Sequence, residues 1–144
     1  MTKTTSKGFE IARIRIRIFA FLINFLVFWL IGMSIGYFYG KPTESAGFHL
    51  EGLPALAMFA CSFVIWPISE GLTGKSIGKW FFNIEILTDD SESISLGQSF
   101  ARFFIGLLDY VFLVGLIIAY NDKQNKRLGD LVAKTVVVKC KKDE

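Results

Sequence analysis

The chain has 144 residues, 52% of them hydrophobic and 15% aromatic, with fifteen phenylalanines and a formal net charge of +3. A mean hydropathy of +0.46 places it with integral membrane proteins, and the length holds a single domain, 1–144. Basic residues gather toward both ends with no stacking platform or recognition motif beside them, which argues against nucleic acid as a partner.

The polar Met1–Gly8 is followed by FEIARIRIR, Phe9 to Arg17, whose alternation alone suits a strand. Its run straight into the apolar stretch favours helix, with Arg13, Arg15 and Arg17 extending their stems toward headgroups. Ile18 to Tyr39 then carries no formal charge and one amide, Asn24. Twenty-two residues make about 33 Å of helix, enough for a hydrocarbon core of about 30 Å. A core helix of a soluble protein would show a polar face, and this run is apolar all round. It is also too long for the core of a cleaved signal peptide, so it is expected to stay attached.

Gly40 to Gly52 reads as a polar linker. The second hydrophobic segment is 53–69, with Pro54 in the first turn and Trp66-Pro67 marking the exit from the membrane. GLTGKSIGK, with Gly74, Lys75, Gly78 and Lys79, is similar to a phosphate loop. The pattern fails because Ser69 stands where a glycine is required, so a tight turn is expected. Phe82 to Leu87 alternates as a half-buried strand, and Ser95 with Gln98 forms a capping box opening a helix at Leu96.

The third hydrophobic segment, 97–120, contains Asp109. Leu131 to Lys139, rich in β-branched residues, reads as a second strand, pairing over about Val132 to Val138 with the first. Positive-inside counting puts the N-terminus in the cytoplasm, but a third crossing would leave the basic C-terminal residues outside. Either the third segment crosses regardless, or it is re-entrant with a bend near Asp109 or Gly115.

No catalytic constellation is present: His49 has neither nucleophile nor metal-ligand spacing beside it, and Cys61 and Cys140 read as free thiols. Neither enzyme activity nor a cofactor is expected. Ionisable groups at membrane depth are the sharper signal, because each is expensive to bury unpaired. Asp109 stands out, with Arg102 seven residues earlier on the same helical face, and Glu70 and Arg17 lie at helix ends. Two readings stay open for them: polar pairs that glue helices, or a cation or proton pathway.

The sequence resembles the RDD family of small membrane proteins over residues 9 to 139. Arg17, Ala20 and Asn24 match the spacing of the family's arginine, alanine and aspartate, with Asn24 in place of the aspartate. The run from Gly74 to Lys79, the NIEI of Asn83 to Ile86, Arg102 with Asp109, and RLGDLVAKTVVV from Arg127 carry the remainder. The resemblance implies Arg17 and Asp130 as the named polar residues, and sodium/proton exchange in some members. Asn24 removes one proton-binding carboxylate, and Arg17 then needs another partner, for which Asp130 is the choice.

The expectation is an all-α membrane protein with two transmembrane helices, a third membrane-embedded segment, spanning or re-entrant, and a short two-stranded cytoplasmic β element. It sits in the cell membrane, multi-pass, N-terminus cytoplasmic. Its expected role is cation- or proton-coupled transport through a homo-oligomer with sodium ion or proton as substrate. The alternative is a non-enzymatic membrane scaffold or accessory subunit.

Overall fold

The computed structural model describes residues 3–5, 7–45, 47–112 and 114–140, with side chains described outside 110–116. Helix α1, Ile14–Tyr39, grows from the longest uninterrupted apolar run and ends where Gly40 turns extended while its N–H still reaches the Gly36 carbonyl at 2.8 Å. Only Arg17, Ala20, Asn24 and Gly36 are buried on it, the first three along one face at i, i+3 and i+7. Phe19, Leu22, Leu26, Trp29 and Leu30 face outward, exposed.

Helix α2, Gly52–Thr73, is the second element long and apolar enough to cross a membrane; in each helix only 11% of the apolar window is buried. The core helix of a soluble protein would bury most of such a window. The helix continues through the expected membrane exit at Trp66-Pro67 as far as Thr73. A proline lacks its N–H and crowds the carbonyl four residues back, and α2 accommodates both by widening to a π-turn over Val64–Ile68. Hydroxyls answer the disturbed carbonyls: Ser69 Oγ donates to Ile65 O at 2.7 Å and Ser99 Oγ to Pro67 O at 2.7 Å. Gly74 stops α2 in the left-handed conformation, φ +71°, where a side chain would be strained.

Between α1 and α2 the expected linker contains a hairpin of two-residue strands, β1 Lys41–Pro42 and β2 Phe48–His49. After the turn at Gly74, α3, Ile77–Phe81, packs on α1. Strand β3, Ile84–Thr88, pairs antiparallel with β4, Thr135–Lys139, Ile86 opposite Val137. Residues 131–134 of the expected second strand are instead the end of α6, Leu128–Val132, and a turn through Lys134 at φ +53°. The expected helix over Phe9 to Arg13 is likewise a correction. Ile11 bridges Val138, Ala12 N–H donates to Val137 O at 2.9 Å, and the helix begins at Ile14. β4 is thus bordered on both sides, which is why Thr135, Val136, Val137 and Val138 are all buried.

Helix α4, Leu96–Phe112, opens on the expected capping box, with Gln98 N–H on Ser95 Oγ and Ser95 N–H on Gln98 Oε1. It is followed by α5, Val114–Asn121. The chain enters α4 beside the sheet, where Ser93 bridges Leu87. It leaves α5 at the same end, where Lys3 Nζ donates to Asp122 O at 3.0 Å and Asn125 Nδ2 to Ala12 O at 3.3 Å. Helix α4 runs unbroken through Asp109 and α5 through Gly115; residue 113, between them, lies outside the described residues. The fold is therefore mostly helical, with two small antiparallel sheets in place of the single two-stranded element of an all-α chain.

Candidate functional site

The buried face of α1 places three side chains, and each meets a different partner. Ala20 lies against α3: a Cβ on Gly78 would come within 1.8 Å of the Ala20 carbonyl oxygen, so only glycine allows that backbone approach. One turn on, Asn24 Oδ1 accepts the Gly78 N–H at 2.7 Å and its Nδ2 donates to Ser76 Oγ at 2.8 Å. Asn24 thereby satisfies an N–H in the first turn of α3, the role a side-chain oxygen fills in a helix cap, from another helix.

Arg17 forms an ion pair with Asp130 of α6 and donates to the Asn125 carbonyl. Asp130 accepts simultaneously from Arg102 of α4 and from the Arg127 N–H at 3.1 Å. Arg102 also donates to Thr135 Oγ1 at 2.7 Å, and its Nε lies 3.9 Å from Glu70 of α2. Glu70 is paired with Lys79 of α3. One continuous chain of charges, Arg17–Asp130–Arg102–Glu70–Lys79, so draws one residue from each of α1, α6, α4, α2 and α3.

Burial alone would push the Asp130 carboxyl up. Arg102 and Arg17 beside it, and the hydrogen bonds from Arg17 and the Arg127 amide, outweigh that and hold it well below the usual carboxylate range. Burial lowers the Lys79 ammonium, with Arg102 adding to the effect and Glu70 opposing it.

Asp109 does not pair with Arg102. Seven residues of helix separate their backbones by about 10 Å, and Arg102 reaches toward the base of the helix, where Asp130 is. Asp109 Oδ2 is 3.5 Å from the Gly129 N–H, and Oδ1 is buried with no partner, as is Arg102 Nε. Lys75 lies outside the network, 3.7 Å from Glu85 on the half-exposed turn. His49 is at the opposite end, on the exposed hairpin beside Glu51.

Above the charged network lies a cavity of about 450 Å³ between α1, α2 and α4, which Asp109 also lines. Its walls are aromatic: Phe21 and Phe28 of α1, Phe63 and Trp66 of α2, Phe103 and Phe104 of α4. Sequence reasoning named Lys79 only as a loop residue and missed Ser76, Asn125 and Thr135. A threonine heading an otherwise aliphatic strand was the one local sign that a hydroxyl is needed there. Among the described residues, no group of three or more His, Cys, Asp or Glu is arranged to hold a metal.

A family model described as "RDD family" matches residues 11–134. No curated protein and no solved structure matches the chain.

Proposed function

The chain belongs to the RDD family, and from that premise we propose that it is a multi-pass cell-membrane protein moving protons or sodium ions through a homo-oligomer. Helices α1 and α2 cross the bilayer, and the α4–α5 pair is re-entrant. With α4 about 24 Å long at 1.5 Å per residue, that pair dips into the hydrocarbon and returns. In this arrangement the basic residues of both chain ends lie on the cytoplasmic side, in keeping with the positive-inside rule. One observation carries the transport reading: buried Asp109, facing the cavity, keeps one carboxylate oxygen without a hydrogen-bond donor. Such an oxygen is available to a proton or a hard cation. In proteoliposomes loaded with a pH-sensitive dye, a sodium pulse is expected to change the internal pH, and Asp109→Asn to abolish the change. A wild-type protein that is silent in this assay would overturn the proposal.

A second reading, a non-enzymatic scaffold or accessory subunit, is favoured by a different observation. Arg17, Asn24 and Asp130 are all consumed in bonds between elements. It expects no flux and a distinct partner recovered by crosslinking in mild detergent.

A further inference from the structure

We propose that the cavity between α1, α2 and α4 binds one anionic phospholipid, its phosphate at the cationic base and an acyl chain along the aromatic wall. The cavity is graded along the helix axis. Arg17, Arg102 and Lys79 stand at its base, and Phe21, Phe25 and Phe28 follow on α1, Phe28 about 16 Å beyond Arg17 at 1.5 Å per residue. Antiparallel α2 repeats the gradient from Glu70 through Trp66 and Phe63 to Phe59. A polar group at one level with a long apolar slot in line with it is the outline of a lipid lying parallel to its neighbours.

Charge supplies the sign. In the chain of charges at its base Arg17, Arg102 and Lys79 stand against Glu70 and Asp130, and the excess cation favours an anion. Arg102 Nε–H, on a side chain only 10% exposed, makes no hydrogen bond, with the Glu70 carboxylate 3.9 Å away. A phosphate oxygen is the acceptor that guanidinium groups recognise best. The position of the mouth decides between a lipid and free phosphate. Phe25, Phe59, Phe104 and Leu107 rim the cavity, each roughly half exposed, on the surface where α1 and α2 turn apolar side chains outward. The opening therefore gives onto acyl chains, and an inorganic anion would leave the aromatic wall uncovered.

Trp66 reports occupancy. The full chain carrying Trp29→Phe and Trp80→Phe retains Trp66 as its one tryptophan. In phosphatidylcholine nanodiscs, acyl-brominated phosphatidylglycerol is expected to quench Trp66 at about one-tenth the mole fraction that brominated phosphatidylcholine requires, the ratio one hydrogen bond to a charged group supplies. Gly106→Leu provides the second arm. A Cβ at Gly106 meets nothing within 4 Å, so leucine there fills the cavity and leaves the helix packing in place. It is expected to remove the preference while circular dichroism stays unchanged. Glycerol phosphate without acyl chains is expected not to compete.

Equal quenching by both lipids overturns the proposal, as does a preference that survives Gly106→Leu in a folded protein. Displacement by glycerol phosphate alone would make the site a headgroup site and overturn the lipid assignment. Trp66 shielded from both lipids and crosslinking between copies would assign the cavity to a second chain. Should Gly106→Leu not fold, the comparison of the two lipids on the tryptophan variant still decides.

Discussion

The two ends of α1 are held by different physics. At the Arg17 end, five helices meet in a buried chain of charges and Ala20 and Asn24 are 1% exposed. At the Tyr39 end, Tyr37, Phe38 and Tyr39 are each more than 70% exposed, beside a hairpin of two-residue strands. The composition of the buried face explains the contrast. Small and polar side chains admit a neighbouring backbone and bond to it, whereas the bulky aromatics beyond Phe25 are solvated by lipid as well as by protein. Without a hydrophobic drive between helices in the bilayer, the end supplied with directed polar bonds is the end that fixes the fold.

The largest effect that would break this contrast is expected at Asp130. Asp130→Asn strands two buried guanidinium groups, and removing one partner of a buried ion pair typically costs about 3–5 kcal/mol. Arg17→Gln removes one of the two pairs and is expected to cost less than Asp130→Asn, measured by denaturant unfolding in detergent micelles. Because Asp130 also holds Arg102, a charge reversal of Arg17 with Asp130 is expected not to restore stability. A neutral double-mutant cycle is the sharper measurement.

The same carboxylate sets a pH dependence. Its folded pKa lies below its unfolded value of about 3.9, so the unfolded state binds more protons as the pH falls. The stabilisation is fully present above about pH 4 and is lost below it, toward the folded pKa. Asp130→Asn is expected to remove that component of the acid unfolding profile; an unchanged profile would place the acid lability elsewhere.

The joint between α1 and α3 is expected to respond at an intermediate level. Asn24→Leu leaves a buried Gly78 N–H without an acceptor, a loss of about 1–3 kcal/mol, whereas Asn24→Asp keeps that acceptor and lets the Ser76 hydroxyl donate instead. Equal effects of the two substitutions in thermal melts would show that the hydrogen bonds do not hold this joint. The smallest effect is expected at the far end. Lys41–Glu51 is an exposed pair, so Glu51→Gln is expected to change stability by no more than about 0.5 kcal/mol.

Much of this was legible in the residues because it rests on local rules. The length of α1, the capping box at Ser95 and Gln98, and the alternation of Ile84 and Ile86 need only one stretch of chain. The pairing of Arg17 with Asp130 came from the family pattern. What escaped depends on contacts far apart in sequence. Glu10 to Ala12 is extended because β4 offers it a free edge, and the turn at Pro67 widens to a π-turn whose carbonyl is met by the Ser99 hydroxyl of another helix. Arg102 turned from Asp109 to Asp130 because a helix fixes the separation of two groups on one of its faces, while a separate segment can bring its carboxylate to the arginine. Asn125 and Thr135 complete the network from turns and strands whose positions no local pattern specifies.

Arg17 and its partner are 113 residues apart in the chain. Ribosomes add roughly 5–20 residues per second, so the arginine waits on the order of ten seconds for its carboxylate to be synthesised. Until then the insertion machinery or a lipid headgroup must shelter a guanidinium already delivered to the bilayer. Its eventual capture by Asp130 fastens a later-made segment to one made 113 residues before it.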